Sequence, residues 1–492
     1  MQNTTKTTAD RGFRGLWQSH RRWFPGMAVG ALALRLFFVL RFPTVTPDGI
    51  VYADLAKNWL LHGVYGMSGT GPSPSLIRMP GYPAFLAVLF AVFGADHYNA
   101  IRFAQVLIDL GTCLVTADLA RRVVANSLPV ASSQRVARWA FALTALCPFL
   151  ANYTAVPLTE TPAIFLAVLA LDLAVAALQR EPAAGASLRV WAACGLAIAA
   201  GIYLRPDGGA VLIAVGGYLL YRLGCKPERS RTLWAGVVLG VFALGPLAPW
   251  AIRNWREFHR FEPLAPTHSG EPGEYYAIGF DHWTHTWLVD YASVEDISFR
   301  MDGTEIDLAT VPNRAFDNDA ERNRTAQLFE VYNQDVTMTP QLDAQFEQLA
   351  RKRIQRKPLR YYLELPCLRV VDLWFRPRTE MLPVDSHWWR FREDPEDFSW
   401  SLLLAGINLG FVALAVLGTL GWRKIHYAAM LGGFVVVRTV IVTVLTYPEP
   451  RYVLQCYPVV MVFAALALVV FRSGGPSANE SSGQPAQESA RK

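Results

Sequence analysis

The chain contains ten apolar runs that reach or approach the length needed to cross a lipid bilayer. A transmembrane helix needs about 20 apolar residues, with a range of roughly 17 to 25, and its backbone polar groups must be satisfied inside the helix. The runs therefore predict an all-α polytopic membrane protein with a bundle of about 10–12 spans. They are residues 23–40, 101–119, 136–153, 162–178, 190–204, 208–221, 233–252, 401–420, 427–445 and 452–471.

Composition agrees with a membrane protein and argues against other classes. Of the 492 residues, 52% are apolar and only 17% are charged, which is too apolar for an ordinary soluble enzyme. The net charge of +6 does not indicate a nucleic-acid partner, because Lys and Arg stand in short groups between the apolar runs. Five of the six Cys lie in or beside apolar runs, so neither a disulfide framework nor a CxxC metal pattern is expected.

The basic groups predict the orientation of the spans. Short loops rich in Lys and Arg stay in the cytoplasm, which places both chain ends inside and residues 44–100 outside. This assignment requires the run Pro83–Gly94, only twelve residues long, to be an interfacial helix and not a span. The first apolar run has no small-residue cleavage site and is expected to be a retained anchor. With no retention signal at the C-terminus, we expect a bacterial inner membrane.

The resulting organisation has five parts. They are a basic cytoplasmic tail (1–22), a membrane module (23–253) that includes the first outer loop (44–100), an extracytoplasmic domain (254–400), C-terminal transmembrane helices (401–472) and a disordered cytoplasmic tail (473–492). The membrane module is expected to be the catalytic module. The extracytoplasmic domain is expected to have mixed structure and to contain an amphipathic helix near Trp374.

One acid stands at a predicted helix start in the first outer loop. In TPDGIVYADLAKNWLLHG, Thr46 is a cap, Pro47 suits the first helical position and Asp48 falls in the first turn, where the helix dipole favours a negative charge. Gly63 ends the helix, and an apolar face that begins at Tyr52 is expected to lie on the membrane. Asp48 is therefore either a dipole-stabilising acid or an active-site acid.

Four more motifs place charges on the same predicted face of the membrane. Arg78 and Tyr82 stand in RMPGYP, Glu160 in PLTETP, Arg205 in LRPDGG and Arg451 in PEPRY. Taken singly, these residues are typical of an interfacial turn, a helix cap and snorkelling anchors. Taken together, two acids and three arginines on one face indicate a site with a base and an anion clamp.

At these residues the sequence resembles the membrane glycosyltransferases of the GT-C class, specifically the dolichyl-phosphate-mannose protein mannosyltransferases and the related bacterial RgtA/B/C/D-like group. The resemblance spans roughly residues 30 to 255 and recurs near residue 451. The motifs that carry it are, in order, PDGIVYADLAKNW, RMPGYP, LARRV, LTETP, LRPD, PWAIRNW and PEPRY.

The resemblance implies transfer of one sugar from a polyprenyl phosphate to an acceptor at the outer face, with Asp48 as the matching catalytic acid. Many relatives follow this Asp with a second acid, whereas this chain has Gly49. In some relatives an acid in the second outer turn joins the first around a divalent ion, and Glu160 matches that position. A divalent metal ion is thus a possible cofactor, and no other cofactor is expected.

The chemistry of such a transfer fits these residue types. A hydroxyl nucleophile needs a base to take its proton, and a single displacement assisted by one base inverts the anomeric centre. The lipid phosphate that leaves needs fixed cations, and guanidinium binds phosphate oxygens bidentately. The predicted roles are Asp48 as base, Glu160 as second acid, Arg205, Arg78 and Arg451, in that order, as phosphate ligands, and Tyr52 and Tyr82 as substrate contacts.

Three other functions are compatible with the sequence. Arg35 and Arg438 lie deep in apolar runs, where a charge is costly, and would bind an anionic head group in a lipid or sugar transporter or flippase. Transporters usually show internal repeats, and we find none. A polymerase or ligase that uses a lipid pyrophosphate donor is the second alternative, and a non-catalytic scaffold is the third. The sugar stays open, as does the acceptor, which is a protein, a lipid or a polysaccharide.

Overall fold

Nearly all of the regular secondary structure in the described residues is helical. The computed structural model describes residues 20–180, 184–225, 229–266, 270–271, 273–390, 392–393, 395–445 and 447–471. Within this part of the chain, the one sheet is a two-stranded antiparallel ribbon of β1 (Gly66–Met67) and β2 (Ser73–Pro74). The all-α fold class is confirmed. The expected tails (1–22, apart from residues 20–22, and 473–492) lie outside the described residues.

Nineteen α-helices follow one another in three groups within the described residues. The first group is α1 (Trp23–Arg41), α2 (Pro47–His62), α3 (Gly81–Phe93), α4 (Tyr98–Val124), α5 (Val130–Ala145), α6 (Pro148–Tyr153), α7 (Glu160–Gln179), α8 (Ala184–Leu204), α9 (Ala210–Cys225), α10 (Arg229–Leu244) and α11 (Ala248–Phe258). The second is α12 (Ile278–His285), α13 (Tyr291–Asp296), α14 (Asp319–Asp335), α15 (Pro340–Arg356) and α16 (Leu365–Phe375). The third is α17 (Pro395–Thr419), α18 (Ala428–Leu445) and α19 (Tyr457–Val470).

Eight helical segments in the described part of the chain are long and apolar enough to cross a membrane, fewer than the ten expected. The run 136–153 is divided into α5 and α6, because Cys147 precedes a proline and is extended (φ −71°, ψ 111°). The run 427–445 forms the short apolar helix α18. The eight segments are Trp23–Arg41, Tyr98–Val124, Glu160–Gln179, Ser187–Leu204, Pro206–Cys225, Arg229–Phe258, Pro395–Thr419 and Pro450–Val470.

Helix α19 lies at the centre of the bundle and brings its preceding segment to the middle of one end. It packs against α17 on one side and against α4 and α5 on the other, and most of its side chains are buried. Helices α7 and α8 pack along each other, and α7 also packs on α4. The 3-10 segment Pro450–Cys456, which enters α19, therefore lies beside the start of α7.

Residues 44–100 fold against that same end. The Thr46 hydroxyl accepts a hydrogen bond from the Gly49 backbone N–H at 3.2 Å, and Gly63 ends α2 with φ 69°, as the sequence predicted. The apolar face of α2 that begins at Tyr52 is buried in the protein core, together with Leu55, so the expectation that this face lies on the membrane is wrong. Helix α3, which contains most of the run Pro83–Gly94 predicted to be interfacial, has 13 residues.

The region between residues 254 and 400 has its own aromatic core, in which Trp283, Trp287, Tyr332 and Phe346 are almost fully buried. Its regular elements among the described residues are all helices, so the mixed structure expected there is not found. The predicted amphipathic helix is present as α16. After α16, the Arg378 guanidinium donates to the Pro450 carbonyl at 2.8 Å, which fastens this region to the segment that enters α19.

Candidate active site

The predicted charged residues meet at one end of the bundle in a chain of alternating charges, which we call the charge network. Its closest N···O distances are 2.9 Å for Arg78–Asp48, 3.1 Å for Asp48–Arg451, 3.7 Å for Arg451–Glu160, 2.9 Å for Glu160–Arg205, 3.1 Å for Arg205–Asp207, 3.1 Å for Asp207–Arg438 and 2.6 Å for Arg451–Glu449. The network thus joins four arginines to four carboxylates from six parts of the sequence.

Asp48 is the most accessible member of the network. Its side chain is 31% exposed, and that of its partner Arg78 is 20% exposed, whereas Arg451 is 12% exposed and Arg438 is fully buried. Burial raises the pKa of Asp48, but the Arg451 and Arg78 guanidiniums outweigh this effect and hold the pKa below its ordinary value. Asp48 is therefore an ionised carboxylate at neutral pH, at the open edge of the network.

Arg78 is positioned by the turn that leads into α3. Its backbone carbonyl accepts a hydrogen bond from the Tyr65 hydroxyl at 2.9 Å, and its guanidinium lies 6.0 Å from the centre of the Tyr52 ring. A Cβ added at Gly81 would lie 2.6 Å from the Tyr203 carbonyl oxygen, too close for any side chain. The glycine of RMPGYP thus lets this turn pack on the end of α8, next to the LRPDGG motif.

Glu160 and Arg205 form the buried middle of the network. Glu160 is the first residue of α7 and is 4% exposed, and its carboxylate accepts a hydrogen bond from the Arg205 guanidinium at 2.9 Å. The Thr159 side chain does not cap α7. Arg205 also contacts Asp207, and its guanidinium lies 4.3 Å from the centre of the Tyr452 ring. The second predicted acid is thus held in a buried ion pair.

Arg451 connects the two predicted acids. It lies in the segment Pro450–Cys456, and its guanidinium contacts Asp48, Glu160 and Glu449. The hydroxyl of the next residue, Tyr452, donates to the Glu449 carboxylate at 2.5 Å. Glu449, Arg451 and Tyr452 thus bring an acid, a cation and a hydroxyl to the centre of the network at the entry to α19.

The two predicted tyrosines lie beside the network but differ in their surroundings. Tyr52 is 7% exposed and lies below Arg78. Tyr82 is fully buried, and its hydroxyl donates to the Gln105 side chain at 2.8 Å. The two rings meet edge to face with centroids 5.1 Å apart. Tyr82 thus faces the bundle core, and a substrate contact by either tyrosine stays a prediction.

Sequence reasoning missed three members of this site. Asp207, Glu449 and Tyr452 were each part of a quoted motif or next to one, but a charge that pairs within its own motif gives no separate signal. Arg438, singled out as a charge in an apolar run, joins the network through Asp207. Arg35, singled out for the same reason, pairs elsewhere with Asp109 at 2.7 Å.

Comparison with known proteins identifies relatives of this chain. Residues 74–251, which include Arg78, Glu160 and Arg205, match the family model of dolichyl-phosphate-mannose-protein mannosyltransferases. No curated protein sequence matches the chain.

Solved structures give matches over most of the chain. It is similar to the oligosaccharyltransferase AglB from Archaeoglobus fulgidus, solved in complex with an inhibitory peptide and a dolichol-phosphate, with a TM-score of 0.50 and 12% identity over 92% of this chain and 51% of that chain. It is also similar to ArnT from Cupriavidus metallidurans bound to undecaprenyl phosphate, with a TM-score of 0.41 and 14% identity over 91% of this chain and 77% of that chain.

The chain spans about half the length of AglB, the first of these structures. At such low identity, this likeness concerns the fold. The resemblance drawn from the motifs is nevertheless confirmed where the family model applies. Residues 74–251 are similar to the dolichyl-phosphate-mannose protein mannosyltransferases, and the fold of the chain is similar to that of AglB over most of its length.

Proposed function

We propose that this protein is an inverting membrane glycosyltransferase, which moves a single sugar from a polyprenyl-phosphate donor to an acceptor hydroxyl at the membrane face that carries the charge network. The observation that carries the proposal is the accessible Asp48 carboxylate, held between two guanidiniums at 2.9 and 3.1 Å. The match of residues 74–251 to a mannosyltransferase family supports the reaction type. The dolichol-phosphate found with AglB supports a lipid-phosphate donor.

Asp48 is the general base in this proposal. A hydroxyl is a weak nucleophile, and a carboxylate within hydrogen-bond reach accelerates its attack by accepting the proton. Asp48 has the protonation state that this role requires, because it is ionised at neutral pH. Its exposure leaves room for the acceptor hydroxyl beside it.

The arginines of the network bind the donor phosphate. Guanidinium groups match phosphate oxygens in geometry and charge. Arg205, Arg78 and Arg451 are the proposed ligands, and Arg78 is the most exposed of the three. The phosphate competes for these arginines with the carboxylates that they contact in the structure.

The transfer then proceeds in one displacement. The acceptor oxygen forms a bond to the anomeric carbon, while the bond between that carbon and the phosphate oxygen breaks. The acceptor proton passes to Asp48, and the electron pair of the broken bond leaves with the polyprenyl phosphate, whose growing charge the arginines stabilise. Attack opposite the leaving group inverts the anomeric centre. Tyr52, below Arg78, is proposed to contact the sugar.

The proposed orientation places the charge network at the periplasmic face of a bacterial inner membrane, with both chain ends in the cytoplasm. The distribution of Lys and Arg supports this orientation. A periplasmic site would meet donors that have already been moved across the membrane. The acceptor class, whether a protein, a lipid or a polysaccharide, is left to experiment.

The test is donor turnover by the purified protein in lipid nanodiscs. A panel of radiolabelled polyprenyl-phosphate monosaccharides is supplied with membrane extract as acceptor source, and wild type is compared with Asp48→Asn. Asp96→Asn is the matched control, because Asp96 belongs to the same 44–100 region but forms an exposed ion pair with Lys57. We expect turnover by wild type and by Asp96→Asn, and its loss in Asp48→Asn. Equal turnover by all three proteins would contradict the proposal.

The same assay separates the alternatives. A ligase or polymerase would ignore monosaccharide donors and consume a lipid pyrophosphate glycan. A flippase would move labelled donor between leaflets without consuming it. Either result, obtained with folded wild-type protein, would replace the proposed reaction.

A further inference from the structure

We infer that Arg451 supplies the fixed positive charge between the two acids of this site and that the reaction needs no divalent metal ion. The inference deepens the proposed function and rests on it for the reaction concerned. It concerns the place where the family resemblance suggests a metal ion between Asp48 and Glu160. The residues around that place do not fit such an ion.

The first reason is the position of the guanidinium. Arg451 contacts Asp48 at 3.1 Å, Glu160 at 3.7 Å and Glu449 at 2.6 Å, so it lies among three carboxylates that come from α2, α7 and the segment before α19. Its side chain is 12% exposed. A cation that bridged Asp48 and Glu160 would have to occupy the place of this group.

The second reason is that five of the six oxygens of these carboxylates already have close partners, while Glu160 Oε2 is 3.5 Å from the Thr159 hydroxyl. The other oxygen of Asp48 accepts from Arg78 at 2.9 Å, Glu160 accepts from Arg205 at 2.9 Å, and Glu449 accepts from the Tyr452 hydroxyl at 2.5 Å. A divalent ion requires six or more oxygen ligands, at about 2.0–2.6 Å, that are free to face it. In the described residues, no group of three or more His, Cys, Asp or Glu side chains is arranged to hold a metal.

The third reason is the residue after Asp48. In relatives that carry a second acid there, that acid is an additional carboxylate near the first, and this chain has Gly49 instead. A Cβ at Gly49 would lie 3.0 Å from the Pro157 carbonyl oxygen. That distance is tighter than nearly all Cβ contacts, so an acid at this position would require the Pro157 backbone to move by a few tenths of an ångström. The four arginines already balance the four carboxylates of the network.

A fixed guanidinium can perform part of the electrostatic work that a metal ion would perform. The Arg451 guanidinium contacts both Asp48 and Glu160. It is in place before the leaving phosphate develops its charge, so it needs no reorganisation during the reaction. Arg451 is therefore both a positioning residue for Asp48 and a proposed phosphate ligand.

The experiment has one readout that does not depend on turnover. Purified wild type is stripped with EDTA, and Mn²⁺ binding is followed by electron paramagnetic resonance. We expect no stoichiometric Mn²⁺ site in wild type. A stoichiometric site that disappears in Asp48→Asn would overturn the inference, whatever the reaction of the protein proves to be.

The second readout is turnover of the donor that the panel identifies. We expect EDTA-treated wild type to keep its full rate and Arg451→Ala to lose at least about 100-fold in kcat. We also expect added methylguanidinium to restore at least about 10-fold of that loss by replacing the missing cation. Loss of wild-type turnover on EDTA treatment, with recovery on adding Mg²⁺ or Mn²⁺, would overturn the inference, as would full turnover by folded Arg451→Ala.

A matched control separates these effects from general damage. Arg353 is also a buried arginine with two acid partners, Glu321 and Asp317, but it lies in the core of the 254–400 region. Arg353→Ala should keep the wild-type kcat per folded molecule, and methylguanidinium should not change its kcat. If Arg353→Ala shows the same loss and the same rescue as Arg451→Ala, the role assigned to Arg451 is wrong. If wild type itself turns over no donor, the proposed function fails, while the Mn²⁺ measurement still decides the metal question.

Discussion

Two groups of buried charges in this protein use the same residue types in opposite ways. In the middle of the bundle, Arg35 and Asp109 form a closed pair at 2.7 Å, with side chains that are 0% and 1% exposed. The Arg35 guanidinium also donates hydrogen bonds to the Ala31 and Thr144 carbonyls, both at 3.2 Å. At the end of the bundle, the charge network begins with Asp48 and Arg78 in contact with solvent.

The difference indicates what each group is for. A closed pair whose donors are all satisfied has nothing to offer a ligand, and its charges stabilise the packing only as long as both are present. In an alternating network with an accessible end, a ligand phosphate can replace a carboxylate as the partner of an arginine. The displaced carboxylate lies at the exposed end, so no buried charge is left unpaired. Burial of an arginine in an apolar run thus does not by itself indicate a binding site. An exposed end in the group of charges to which the arginine belongs is the feature that indicates one.

The largest expected effect separates the two groups by activity. Asp48→Asn removes the proposed base, so kcat for sugar transfer should fall by about 10²–10⁴-fold. The protein should still be monodisperse in nanodiscs, because Asp48 is partly exposed and Asn keeps its size. Single-turnover measurement of labelled donor checks this prediction. Wild-type kcat in the variant would assign the network a structural role like that of the Arg35 pair.

A substitution in the closed Arg35–Asp109 pair is expected to change stability and not activity. Asp109→Asn leaves the Arg35 charge buried without its partner and should lower the free energy of unfolding by about 3–5 kcal/mol. Turnover per folded molecule should be unchanged, since the pair lies away from the charge network. Unfolding in mixed micelles, followed by tryptophan fluorescence, measures the stability. A variant as stable as wild type would show that the closed pair is not structural.

A smaller effect concerns the pH dependence of the open network. Arg78 is one of the two guanidiniums that hold the pKa of Asp48 below its ordinary value. A base acts only when deprotonated, so kcat/KM should fall as the pH drops through this pKa. Arg78→Gln removes one of these two cations and raises the pKa of Asp48, so the acid limb of the pH profile should begin at higher pH.

The profile is measured with the donor below KM, where it reports the free enzyme. Arg300→Gln is the control, because Arg300 is half-exposed and belongs to the 254–400 region, where it contacts Asp296 at 3.9 Å. Its profile should coincide with that of wild type. An acid limb that stays in place in Arg78→Gln would mean that a group other than Asp48 limits the rate.

The smallest effect is expected at the surface. Lys57 and Asp96 form an ion pair at 3.1 Å, with side chains that are 31% and 48% exposed. Lys57→Ala should change the free energy of unfolding by less than about 1 kcal/mol and should leave turnover unchanged. An effect on either quantity as large as that of Asp48→Asn or Asp109→Asn would show that exposure does not distinguish the roles of these charges.

The sequence predicted the parts of the site better than their contacts. Local rules located α2 from Thr46 to Gly63, because capping and glycine termination depend on neighbouring residues alone. The expected convergence of Asp48, Glu160 and the three arginines followed from loops that share one side of a membrane. The partners Asp207 and Glu449 were missed, because each pairs with an arginine of its own motif and so gives no separate signal. The contact of Asp207 with Arg438 was missed because it depends on how the helices pack.

Two other differences have the same origin. The run 136–153 is apolar throughout, and only the extended conformation of Cys147 before Pro148 divides it. The apolar face of α2 is directed into the protein, although its spacing fits a membrane surface equally well. In both places composition indicates an apolar environment, and three-dimensional packing decides whether that environment is lipid or protein.

The most direct test of the charge network as the donor site is a cryo-electron microscopy structure with a polyprenyl-phosphate monosaccharide bound to Asp48→Asn. We expect the phosphate within hydrogen-bond distance, about 3 Å, of at least one of Arg78, Arg205 and Arg451, with the anomeric carbon facing residue 48. An aromatic cavity of about 470 Å³ lies between Tyr218, Tyr427 and Phe463, away from the network. A donor phosphate bound in that cavity, with the network unchanged, would show that the charge network is not the donor site.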